Sequence, residues 1–193
     1  MIRLYIADIT GLDIDSCLDA VSPRRREKAL RLRNDDDKRR GLGAELLLKK
    51  AAGHNDHALT GNGKPYFLDG SVYFSLSHCG KYAVCAVSDV PVGVDIELAR
   101  DNALRLSERF FLPDEAELVQ RAQAPEAEFC RLWTLKDSYI KAADLRLGDV
   151  RTFSVVQGVE GYSFGGTHVE EYCIGYCVKA PDIGKIEIIN EKL

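Results

Sequence analysis

Val92-Gly93-Val94-Asp95-Ile96-Glu97-Leu98, read with Trp133-Thr134-Leu135-Lys136-Asp137-Ser138-Tyr139-Ile140-Lys141, decides the fold. In the first stretch Val92, Val94, Ile96 and Leu98 alternate with Gly93, Asp95 and Glu97, the period-2 pattern of a half-buried strand. Both carboxylates project from one face, roughly 7 Å apart, so both can reach one hard cation directly or through water. In the second stretch, helical spacing sets Asp137 and Lys141 on one face with Thr134 beside them. Phe129, Leu132, Trp133, Leu135, Tyr139 and Ile140 form a broad apolar arc around the same helix. Lys136 falls near the middle of that arc, which requires a snorkelling stem or a specific partner. Three carboxylates and two lysines are thus candidates to converge on a metal and a polyphosphate, an inventory suited to phosphoryl-type transfer by positioning and charge neutralisation.

Working outward, residues 2–8 read as a first strand. Ser22 and Pro23 form an N-cap and N1 pair opening a helix to about Leu32. The Asn34-Asp35-Asp36-Asp37 run caps a second helix, about 36–52, that ends before Gly53. Val72–Leu76, Tyr82–Val87 and Val92–Leu98 are expected strands, followed by helices near 101–110, 114–123 and 125–144 and by strands at Thr152–Val156, Tyr172–Val178 and Lys185–Ile189. This is an α+β order. The run from Cys85 to Ile96 and the run from Cys177 to Glu187 are faintly alike.

A chain of 193 residues buries a core without staples, and 29% charged with 46% hydrophobic residues is an ordinary globular composition. The net charge of −4 argues against a general nucleic-acid binder. The N-terminus reads as a strand with an early acid, not as a signal peptide, and no apolar run approaches the roughly 20 residues that span a bilayer. A cytoplasmic protein with no membrane partner is expected. The six cysteines include no C-x-x-C pair and suit a reduced compartment; His54 and His57 lie in a loop without further zinc ligands.

The G-V-D-I-E and W-T-L-K-D-S-Y-I-K elements resemble the paired signature of the 4′-phosphopantetheinyl transferases of the surfactin-synthetase-activating (Sfp) type. Gly63-Lys64-Pro65, Ser77-His78-Cys79-Gly80 and Arg109-Phe110-Phe111 follow that family's order and approximate spacing, over about residues 22–156. The resemblance implies two similar α+β halves, here 1–92 and 93–193, related by a pseudo-twofold axis with the active site in the cleft between them. It implies magnesium-dependent transfer of the phosphopantetheine arm of coenzyme A to a serine of an apo acyl or peptidyl carrier protein, by a monomer. A relative that binds coenzyme A without transferring it is the alternative.

By the same resemblance Asp95, Glu97 and Asp137 are metal ligands, and Asp137 and Lys141 are catalytic. Arg25, Lys28, Arg39, Lys64, Pro65, Ser77, His78, Lys136 and Lys141 would hold coenzyme A. Arg25 and Lys28, three apart on a helix, can share one anion. Two departures stand out: Asp137 where the family more often has Glu, shorter by about 1.5 Å, and a single glycine, Gly148, in the stretch after Lys141.

Overall fold

The structure is a computed structural model and describes residues 1–193. In chain order the elements are β1 (Ile2–Asp8), α1 (Ile14–Leu18), α2 (Pro23–Arg31), α3 (Asp35–Ala52), β2 (Ala58–Leu59), β3 (Pro65–Tyr66), β4 (Tyr73–Cys79), β5 (Tyr82–Ser88), β6 (Val92–Leu98), α4 (Ala103–Phe110), α5 (Pro113–Arg121), α6 (Pro125–Ala143), a 3-10 turn (Leu147–Arg151), β7 (Ser163–Val169), β8 (Tyr172–Val178) and β9 (Ile186–Glu191). The helix starts follow local chemistry. The Ser22 hydroxyl accepts from the Arg25 amide at the head of α2, and the Asn34 side chain accepts from the Asp36 and Asp37 amides at the head of α3. Gly53, at φ 84°, closes α3 in the left-handed region that glycine enters without strain.

The strands form a four-stranded sheet in the order β4-β5-β1-β9, a three-stranded sheet in the order β6-β8-β7, and the short β2-β3 pair. Within the first sheet β1 is antiparallel to β5 and parallel to β9. The order strand, helices, hairpin occurs twice, and each time the first strand pairs antiparallel with the second strand of the hairpin. The chain crosses from the first sheet to the second at Asp89-Val90-Pro91, and β9 returns to the free edge of β1.

Alternation along β1 explains the layering. Tyr5 and Ala7 face α3, where they join Leu42, Leu47 and Leu48. Ile2, Leu4 and Ile6 face the other way, onto Val92, Val94 and Ile96 of β6 and Ile174 and Val178 of β8. The two sheets therefore pack through their apolar faces, with α3 outside the first and α6 outside the second. β5 and β8, covered on both faces, are buried throughout.

Beyond the short α1, β2 and β3, which the sequence reading did not anticipate, two elements differ from its expectation. Residues 152–156 are not a strand, because their backbone bonds to side chains: the Phe153 carbonyl accepts from Lys136 Nζ at 2.7 Å, and the Val155 amide donates to Glu115 Oε1 at 2.9 Å. The outer strand of the second hairpin is β7, Ser163–Val169, hidden from a propensity reading by Gly165 and Gly166. Gly165 has a packing reason, since a Cβ there would lie 2.4 Å from the Tyr176 ring.

Helix α6 approaches the second sheet at backbone distance. A Cβ on Gly93 would lie 1.8 Å from the Ser138 carbonyl oxygen, and one on Gly175 would lie 2.5 Å from the Thr134 carbonyl carbon. Gly175 is the register partner of Asp95, so the two glycines form a groove around that carboxylate. Gly93→Ala, which meets backbone and cannot be relieved by a rotamer change, should lower the unfolding free energy by about 3 kcal/mol or more. Gly148→Ala, with open space around it, should stay within about 0.5 kcal/mol of wild type. Urea unfolding of both variants checks this, and equal midpoints would contradict the close approach.

Candidate active site

Strands β4 and β6 belong to different sheets but run edge to edge, joined by side chains. Ser75 Oγ accepts from the Val94 amide at 3.0 Å, Ser77 Oγ donates to Asp95 Oδ1 at 2.7 Å, and Cys79 Sγ donates to Glu97 Oε2 at 3.5 Å. This seam carries Ser77 and His78 to the face where α6 presents Asp137 and Lys141.

Lys141 Nζ sits between three acceptors: Asp95 Oδ1 at 2.8 Å, Asp137 Oδ2 at 2.8 Å and the Val94 carbonyl at 3.0 Å. Loss of water on burial pushes the Asp95 carboxyl up to about 7, with Asp137 adding to the rise and Lys141 pulling against it. For Lys141 burial alone would lower the pKa, but the two carboxylates hold it above the ordinary lysine range. One atom is left over: Asp95 Oδ2 is buried without a hydrogen-bond partner. A carboxylate oxygen in that state suits a hard cation, so Asp95 fits the implied metal. The three acids are not gathered into a ready ligand set. Glu97 Oε2 is engaged by Arg100 Nη2 at 2.9 Å, and Asp137 is engaged by Lys141.

Next to this cluster lies a cleft of about 360 Å³ walled by α2, α3, the 57–65 hairpin, β4 and the end of α6. Arg25, Lys28, Pro65, Ser77, His78 and Lys141 all line it, so six of the sequence-derived candidates meet there. His78 stands exposed on its strand. Dehydration by the cleft walls and the charges of Lys141, Arg25 and Arg40 lower its pKa, which favours a neutral imidazole. Leu59, Pro65 and Leu76 add apolar surface to the cleft lining. A separate apolar groove of about 250 Å³, lined by Leu98, Leu106, Phe110, Phe129, Trp133 and Leu147, opens beside Glu97.

Three of the residues expected to hold coenzyme A are not part of the cleft lining. Lys136 is fully buried, with its ammonium on both Glu115 oxygens at 2.8 and 2.7 Å and on the Phe153 carbonyl. All three of its protons are used there, tying α5 and residues 153–155 to α6. Arg39 turns to the Leu12 carbonyl and to Asp36. Lys64 donates to the Ala142 carbonyl at 3.0 Å, and burial lowers its pKa. With Thr60 and Asn62, which bond Asp144, it fastens the hairpin to the C-terminal end of α6.

Sequence reasoning passed over Glu45, whose carboxylate is 1% exposed at the cleft wall. A lone acid inside Leu42-Gly43-Ala44-Glu45-Leu46-Leu47-Leu48 was a readable signal, because a charge on a buried helix face needs partners. Arg24 and His57, both lining the cleft, and Arg40 carried no comparable mark among so many basic residues.

A cationic cleft joined to a buried carboxylate–lysine cluster is the equipment of an enzyme for a polyanionic substrate. Residues 91–178 match the model of the 4′-phosphopantetheinyl transferase superfamily. The chain is 31% identical over 194 residues to a 4′-phosphopantetheinyl transferase of Bacillus subtilis, covering 87% of this chain and 86% of that protein. It is 41% identical over 133 residues to the 4′-phosphopantetheinyl transferase psf-1 of Bacillus pumilus (63% and 57% covered). It is 29% identical over 132 residues to the 4′-phosphopantetheinyl transferase Sfp of Bacillus subtilis strain 168 (63% and 59% covered). The chain belongs to the 4′-phosphopantetheinyl transferase superfamily. No helix is long and apolar enough to cross a membrane.

Lys136→Met leaves a buried carboxylate without its cation and should cost about 3–5 kcal/mol in urea unfolding; a loss below about 1 kcal/mol would deny the pair its architectural role. For Asp95 the sign is set by a raised pKa: the fold favours the protonated acid, and that contribution is lost as pH rises through about 7. Asp95→Asn should therefore gain stability relative to wild type between pH 5 and pH 8. A constant difference across that range would contradict the shift.

Proposed function

We propose that this protein transfers the 4′-phosphopantetheine arm of coenzyme A to a serine hydroxyl of an apo acyl or peptidyl carrier protein, with magnesium, releasing adenosine 3′,5′-bisphosphate. The observation that carries the reading is the contact chain Ser77–Asp95–Lys141–Asp137, which links the cationic cleft to the acidic cluster without a gap. Arg25, Lys28 and His78 would receive the ribose phosphate, and the apolar surface with Pro65 the adenine. The serine oxygen forms a bond to the pantetheine-side phosphorus as the bridging P–O bond breaks toward the bisphosphate. Asp137 is the base for the serine proton, directly or through water. Lys141, already an ammonium, meets the charge developing on the pyrophosphate. Asp95, Glu97 and Asp137 would hold the magnesium, which when bound supplies charge neutralisation to the pyrophosphate. The apolar groove beside Glu97 would be the surface for the carrier protein.

The same reading takes residues 1–92 and 93–193 as two halves about a pseudo-twofold axis, supported by the repeated strand–helices–hairpin order. It takes the protein as a cytoplasmic monomer without nucleic-acid or membrane partners. Intact-mass analysis of apo carriers incubated with coenzyme A and magnesium tests the activity. Asp95→Ala and Glu97→Ala should abolish transfer, and Asp137→Asn should slow single turnover by at least about 100-fold, while Asp137→Glu keeps it. Equal rates for wild type and Asp137→Asn would remove Asp137 as base. Coenzyme A binding with no transfer to any carrier would leave a binding protein.

A further inference from the structure

A buried carboxylate in the wall of an anion-binding cleft needs an explanation, because its charge opposes the ligand. Glu45 is that group. Its Oε1 accepts from the Ser22 amide at 2.6 Å and from Asn55 Nδ2 at 3.2 Å, and its Oε2 accepts from Arg25 Nε at 3.2 Å. The Arg25 contact uses the inner edge of the guanidinium and leaves the two terminal nitrogens, the pair that binds phosphate in a fork, to point elsewhere. Gly41 stands one helical turn before Glu45 on the same face of α3. A Cβ on Gly41 would lie 3.1 Å from Arg25 Nη1, a tight contact that would press that terminal nitrogen aside by a few tenths of an ångström. One residue grips the guanidinium at Nε and the other makes room for Nη1. Together they restrict how the fork can sit and turn in the cleft.

We infer that Glu45, with Gly41, is a positioning residue that aims the Arg25 guanidinium, and so sets the preference of the cleft for coenzyme A carrying its ribose phosphate over dephospho-coenzyme A. This rests on the reading of the cleft as the coenzyme A site. The carboxylate orders a cation that would otherwise sample many rotamers, and a pre-aimed fork loses less freedom on binding. Selectivity, more than general anion affinity, is what such an arrangement controls.

Isothermal titration of coenzyme A and dephospho-coenzyme A into wild type, Glu45→Gln, Gly41→Ala, Arg25→Gln and the Glu45→Gln/Arg25→Gln double variant tests this. Wild type should prefer coenzyme A by about tenfold or more, the scale of one charge-assisted phosphate contact. Glu45→Gln should lose most of that ratio, and the double variant should lose no more than Arg25→Gln alone, as expected when one residue acts through the other. Gly41→Ala keeps every Glu45 hydrogen bond and gains helix propensity, so it should hold or raise the melting temperature while lowering the ratio; it serves if Glu45→Gln folds poorly. An unchanged ratio in both Glu45→Gln and Gly41→Ala, or losses that add in the double variant, would overturn the positioning role. Wild type binding neither ligand would instead overturn the coenzyme A reading itself, and this inference with it.

Discussion

The backbone-to-backbone approach of α6 to the second sheet is the constraint on which the rest depends. Helices ordinarily stand off a sheet by the thickness of their side chains. Here Gly93 and Gly175 remove that thickness at two adjacent strands, and the helix settles into the gap. The consequence is reach. Asp137 has a short side chain, yet Lys141 bonds both it and Asp95 at 2.8 Å. With an ordinary side chain at position 93 the helix would be displaced, and an aspartate on it would no longer share a lysine with a strand carboxylate. The shorter acid and the tight helix–sheet contact are parts of one geometry.

That closeness sets the electrostatics. Two acids and one lysine share a nearly dry space, and the ammonium goes to the carboxylates because nothing else there can neutralise them. Asp95 still keeps one oxygen without a partner, so one lysine against two acids leaves the cluster an excess of negative charge as well as an unfilled acceptor. A polyanion entering the cleft brings further negative charge against Lys141 and Ser77, which already hold Asp95. Ligand and acid pair thus compete for the same donors, and a cation on the spare oxygen of Asp95 is the addition that would let both be satisfied.

What could be read from the sequence divides by the range of the interaction. The strand at 92–98, the caps at Ser22 and Asn34 and the stop at Gly53 are local: period, cap chemistry and a left-handed residue act within a few positions. The face shared by Asp137 and Lys141 was legible for the same reason. Lys136 shows the opposite limit. Its place in an apolar arc signalled a partner, but Glu115 lies on another helix, and no spacing rule joins them. Residues 152–156 failed likewise, since a β-prone run was claimed by side chains of α5 and α6. Arg39 and Arg40 could be separated only by the turn of α3 against its neighbours.

Lys64 and Lys136 carry this further. Each stands in a motif beside the site, where Lys136 uses all three ammonium protons on the architecture around α6 and Lys64 uses one. Lys136 closes one side of the helix through Glu115 and the Phe153 carbonyl. Lys64, at the other end, donates to the last turn, where the unpaired carbonyls of a helix terminus favour a cation. Both contacts hold the helix that delivers Asp137 and Lys141. A lysine in a motif need not touch the ligand to determine what the ligand meets. These two act on the position of α6, and because Gly93 and Gly175 leave no slack between helix and sheet, a shift there would pass directly to the carboxylate–lysine cluster.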